Sequence, residues 1–107
     1  MNKFRTLELA SSLYHNASRI KFTRASFQDQ FDRALLSVVL NLSEGRGRRT
    51  AKDRRKYYHI SYASLKEVET ILNLSNINHF KPQTDTLSAH IWKLIQNPGS
   101  ATTTDNR

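Results

Sequence analysis

From Met1 to Lys81 the chain contains no proline and only two glycines, Gly45 and Gly47, so nothing in that stretch forbids long helices. The two prolines, Pro82 and Pro98, fall late, and the third glycine is Gly99. Apolar residues recur at three- and four-residue steps along most of the sequence, which predicts an all-α chain.

Residues 3–21 read as a first helix, with Leu7, Ala10, Leu13, Tyr14, Ala17 and Ile20 on one stripe. Thr23 to Ser26 is a short polar turn, with Ser26 as the candidate N-cap. A second helix spans Phe27 to about Glu44, and Phe27, Phe31, Ala34, Leu35, Val38 and Leu42 share a face. Leu36 and Leu40 point nearly opposite, so this helix is apolar on two sides and suits burial against another subunit. Gly45 is the residue best able to end it in a left-handed conformation.

The third helix has the clearest start. Thr50 is the N-cap, and Asp53 three residues on completes a variant of the capping box. Tyr57, Ser61, Ser64, Val68, Ile71 and Ser75 form its stripe, flanked by Ile60, Leu65 and Leu72, and its serines admit a close neighbour. Residues 76–83 break the pattern, with Pro82 as a stop. A shorter fourth helix runs from Thr84 or Asp85 to Gln96, with Leu87, Ile91, Leu94 and Ile95 on one side and Trp92 well off that face. Four helices with short connections make an antiparallel up-down four-helix bundle over residues 1–97, followed by a disordered tail over 98–107.

At 107 residues the chain fits one domain, which buries roughly 65% of its unfolded surface. Its hydrophobic content of 37% is low, so burial by an oligomeric partner would help. The absence of cysteine excludes disulfides, thiolate zinc sites and cysteine nucleophiles. No apolar run of about 18 residues exists to span a membrane. The start Met-Asn-Lys-Phe-Arg does not suit a secretory signal, which leaves the cytoplasm as the default.

The net charge of +8 is concentrated. Residues 1–45 carry six Lys/Arg against four Asp/Glu, and residues 57–107 carry four against four. Residues 46–56 carry seven against one. A phosphate-rich partner is the natural complement to such a segment.

Within it, Arg46, Arg48 and Arg49 follow the end of the second helix, where the helix dipole favours cations by about 0.3–1 kcal/mol each. Lys52, Arg54, Arg55 and Lys56 occupy the first turns of the third helix, where the dipole disfavours them, and Asp53 offsets only one. A sequence tuned for stability alone would place acids there. Free N–H groups at a helix start, ringed by cations, suit phosphate. The bland alternative is a solvated charge run without a specific partner. Arg55, Tyr58, His59, Tyr62 and Lys66 share one flank of the third helix, and aromatics interleaved with cations can stack on unpaired bases. Tyr58 and Tyr62 could equally border the core or a subunit interface with their hydroxyls wet, and Tyr57 reads as core.

Enzymatic readings are weak. The four histidines, His15, His59, His79 and His90, are scattered and form no HExxH motif, so no metal site is expected. Gly45-Arg46-Gly47 lacks the glycine and lysine that complete a nucleotide phosphate loop. Glu44 and Asp53 among arginines are more simply charge partners than metal-bound carboxylates. The expectation is a binding protein and not an enzyme.

The stretch from Gln30 to Leu72 resembles the four-helix-bundle proteins encoded within bacterial 23S rRNA intervening sequences. The elements that carry the likeness are Arg33-Ala34, Ser37, Asn41-Leu42-Ser43-Glu44-Gly45, Gly47-Arg48-Arg49 and Ser64-Leu65-Lys66-Glu67-Val68-Glu69-Thr70. Val39 departs from the proline common there in that family. The resemblance implies an antiparallel bundle that often assembles into a ring, commonly a pentamer. It also implies kinship with accessory proteins of diversity-generating retroelements, which bind nucleic acid and a reverse transcriptase. Two readings follow. In one, a homo-oligomer binds RNA or single-stranded DNA non-specifically through Arg46, Arg48, Arg49, Lys52, Arg54, Arg55 and Lys56, with Tyr62 stacking on bases. In the other, a protein scaffold meets an acidic partner through the same cations, with Leu36, Leu40 and Trp92 as its assembly surface.

Overall fold

The computed structural model describes residues 4–99. Four α-helices follow in order: α1 over Arg5–Ala17, α2 over Ala25–Arg46, α3 over Ala51–Leu74 and α4 over Lys81–Gln96. Contacts run around the circuit α1–α2–α3–α4–α1, and the diagonal pairs α1–α3 and α2–α4 do not meet. This is the arrangement of a four-helix up-down bundle. The core lies along its axis, with Leu13, Phe31, Leu35, Leu42, Tyr58, Leu65, Leu87 and Ile91 all but sealed from solvent.

The helix ends follow local chemistry, and several depart from the sequence reading. α1 stops four residues early, at Ala17, because the segment after it is held in another way. The Gln28 side chain accepts from the Phe22 N–H at 2.9 Å and donates to the Ile20 carbonyl at 3.2 Å, while Phe22 packs on Phe31 with ring centroids 4.8 Å apart. α2 starts at Ala25, and its N-cap is Arg24, with no side-chain cap; Ser26 is not the cap. α3 begins as expected, the Thr50 hydroxyl accepting from the Asp53 N–H at 3.1 Å. It ends in a Schellman turn: Asn76 has φ 58°, its N–H donates to the Asn73 carbonyl, and the Ile77 N–H donates to that of Leu72.

Pro82 does not stop a helix. It sits in the first turn of α4, where its missing N–H would have no intrahelical acceptor anyway, so α4 starts at Lys81 and runs for 16 residues.

The α2–α3 seam is the most extensive, and small polar residues make it close. The buried Ser61 hydroxyl donates to the Val38 carbonyl at 2.8 Å, Ser37 and Ser64 hydroxyls meet at 2.7 Å, and the Asn41 amide donates to both the carbonyl and hydroxyl of Ser37. Ser37, Asn41, Ser61 and Ser64 all have partners, which offsets the cost of burying them at close approach. Ser61→Val would lose the hydrogen bond and press extra carbon into full packing. We expect a loss of about 1–3 kcal/mol in urea unfolding, whereas Ser61→Ala would cost less.

Candidate nucleic-acid interface

The N-terminus of α1, the C-terminus of α2, the N-terminus of α3 and the C-terminus of α4 meet at one end of the bundle, and the basic segment lies there. Its foundation is Gly45. This residue is buried inside α2 and does not end it, since the C-cap is Gly47 with φ −82°. A Cβ on Gly45 would come within 2.7 Å of Tyr58 Cε1 and 3.2 Å of Tyr57 Cβ. Glycine is required for the close approach of α3, not for a left-handed backbone. Tyr58 fills the space against it at 1% exposure, Phe4 packs on Tyr58 with ring centroids 6.4 Å apart, and the Arg46 guanidinium covers Phe4 at 4.4 Å.

The expected stripe is buried at Ser61, Ser64, Val68 and Ile71, and the placement of Tyr58 corrects its start. Tyr58 is core and Tyr57 only half-buried, because α3 turns Tyr58, Ser61, Leu65, Val68 and Leu72 inward. Ile60, expected beside the core, is exposed. Burial pushes the Tyr58 phenol up, and the neighbouring charges of Arg54 and Arg46 only partly oppose that, so it stays neutral.

The seven cations of the segment divide into three groups. Arg54 and Arg55 are tied to the ends of other elements. Arg54 Nε donates to the Arg48 carbonyl at 2.9 Å and Nη1 to that of Pro98 at 3.3 Å, while Arg55 Nε donates to the Ile95 carbonyl at 2.9 Å. They occupy the carbonyl end of α4, where a cation is favourable, and hold Pro98, which is buried; residues 100–107 of the expected tail lie outside the described residues. Arg46 and Arg48 are partly engaged, Arg46 over Phe4 and Arg48 with the Glu44 carboxylate and the Tyr57 hydroxyl.

Arg49, Lys52 and Lys56 remain exposed, with no hydrogen bond or ion pair among the described residues; Lys56 Nζ lies only 5.4 Å above the Tyr57 ring. They surround the start of α3. There the N–H groups of Ala51 and Lys52 have no intrahelical acceptor, since the Thr50 hydroxyl serves only Asp53. Three solvated cations, a helix N-terminus and Arg48 close by form a surface suited to oxyanions.

The remaining candidates fall in two other places. Leu36 and Leu40 are 44% and 55% exposed on the outer face of α2. Trp92 is 45% exposed on α4, packed against Tyr62 with ring centroids 5.5 Å apart. Since α2 and α4 are diagonal in the bundle, Leu36 and Leu40 lie on a different face from Trp92. The sequence reading missed the pairing of Tyr62 with Trp92, because Trp92 sits well off the core face of its helix and the sequence does not say which helices meet.

A family model described as 23S rRNA-intervening sequence protein matches residues 4–96. No curated protein and no solved structure gives a match.

Proposed function

The chain belongs to the 23S rRNA-intervening sequence protein family, and from that premise and the basic end of the bundle we propose that it binds single-stranded RNA or DNA through phosphate contacts. The observation that carries this reading is the exposure of Arg49, Lys52 and Lys56 around the open start of α3, whose dipole disfavours Lys52 and Lys56. Cations kept at such a position, with Asp53 the one acid in the first turn of α3, weaken the fold slightly and favour a bound anion. The contacts are to phosphate, so recognition carries little sequence preference. Arg54 acts indirectly by holding Pro98 against α3, and Arg55 Nε ties the end of α4 there. The role is binding, not catalysis.

Anisotropy of a labelled single-stranded RNA at about 50 mM salt tests this. Binding that an unrelated single strand displaces supports it. Absence of affinity, or displacement by polyglutamate as readily as by RNA, sinks it in favour of a scaffold for an acidic protein.

The outer face of α2 favours assembly of copies. Leu36 and Leu40 are one helical turn apart and open to solvent, and burying each contributes about 1.5–3 kcal/mol. In sedimentation the wild type should exceed the 12.4 kDa of one chain, and the Leu36→Glu, Leu40→Glu double variant should return to it. A monomeric wild type at micromolar concentration would remove this part of the proposal.

A further inference from the structure

The seam between α3 and α4 carries a second arrangement that the phosphate contacts do not use. Arg55, His59, Tyr62 and Lys66 succeed one another at steps of four, three and four along α3, spanning about 16 Å by the helical rise. Antiparallel α4 brings its own residues opposite in reverse order: the Ile95 carbonyl at Arg55, Trp92 at Tyr62 and Ser88 at Lys66, whose Nζ lies 3.0 Å from the Ser88 hydroxyl. The result is a row with an aromatic pair at its centre and cations at both ends.

The two rings differ in what they have left to offer. Tyr62 is half-buried, and Lys66 Nζ sits 4.9 Å above its ring. With Trp92 against it as well, Tyr62 is used up in holding its neighbours. Trp92 retains 45% of its surface, the most open aromatic large enough to receive a base. Burial disfavours the Lys66 ammonium, but its hydrogen bond and charge pairing with Glu69, aided by Tyr62, outweigh that and raise its pKa, so it stays charged. Arg55 uses Nε for the Ile95 carbonyl, which leaves its other two nitrogens as donors.

We propose that this seam is a stacking platform for single-stranded nucleic acid, with an unpaired base on the open face of Trp92, Tyr62 positioning the indole, and flanking phosphates at Arg55 and His59. The occupant is argued from charge and ring together. Pairing of this row with the same row of a second copy would bring like charges together, whereas a single strand supplies anions and π-faces at once. A duplex keeps its bases stacked inside and offers Trp92 only the outer faces of its two terminal pairs. The platform rests on the nucleic-acid reading above and narrows it to unpaired strands.

Trp92 is the only tryptophan in the chain, so its emission reports on this seam alone. The full-length protein is titrated with oligouridine, oligothymidine and a blunt duplex of equal length, while labelled-strand anisotropy is read in parallel. Single strands should quench the emission strongly and the duplex should not. Trp92→Leu, which keeps apolar bulk without an indole, should weaken single-strand binding by the folded protein about tenfold or more with an unchanged salt slope. Single-strand binding with constant Trp92 emission and no loss in the variant overturns the platform while the phosphate reading stands. Equal quenching by duplex overturns it too. So does a blue shift that follows protein concentration without nucleic acid, which marks Trp92 as a contact between copies. Failure to bind any strand removes both readings.

Discussion

Replacing Arg49, Lys52 and Lys56 together by alanine should lower single-strand affinity by about two to three orders of magnitude at roughly 50 mM salt while leaving the fold intact. Each phosphate neutralised on a single strand contributes about −0.7 to the slope of log affinity against log salt, so three cations contribute about −2. Extended from molar salt, where that contribution vanishes, to about 50 mM, such a slope amounts to several hundred-fold. Stability should hold, because none of the three makes a hydrogen bond or ion pair among the described residues and two of them oppose the α3 dipole. The matched control is Arg54→Ala. Its guanidinium bridges the Arg48 and Pro98 carbonyls, so its loss should show first in unfolding. Anisotropy and urea denaturation on the same preparations separate the two; a triple variant that binds like wild type would exclude these three as the phosphate contacts.

Gly45→Val should produce the largest loss of stability, about 1–3 kcal/mol or more in urea. A helical glycine normally gains from substitution, since Ala is about 1 kcal/mol better in a helix interior. Here the position faces the sealed Tyr58 ring, and even a Cβ would lie 2.7 Å from Cε1 and 2.9 Å from Cδ1. Valine adds two methyl groups to that clash and loses side-chain freedom in the helix. Displacing Tyr58 also disturbs Phe4 and Arg46 stacked above it, so nucleic-acid affinity should fall secondarily. A neutral Gly45→Val would mean that α3 does not approach α2 as described.

Gly45 also shows where sequence reasoning reached its limit. Helix termination and close helix approach both select glycine, and one sequence does not say which applies. The Tyr57 and Tyr58 exchange has a similar cause. Adjacent positions on a helix differ by about 100°, and a stripe through Tyr57 competed with one through Tyr58, Ser61, Leu65, Val68 and Leu72. The second is richer in large apolar residues, and weighting by size would have selected it. The Thr50 cap and the break at Asn76 were legible because their partners lie within a few residues. The attachment of Arg54 and Arg55 was not, because their acceptors at Pro98 and Ile95 lie 44 and 40 residues away. Composition placed the charge at one turn; only packing divided it into cations that hold the bundle and cations left to solvent.

The most direct test of the central claim is the salt dependence of single-strand RNA binding for wild type and for the Arg49, Lys52, Lys56 triple alanine variant. Log affinity against log salt should fall linearly for the wild type, with a slope of about −2 or steeper per engaged subunit, and the variant should be shallower by about 2. A wild-type slope near zero, or two parallel lines, would contradict the claim that the open cations at the start of α3 hold phosphate.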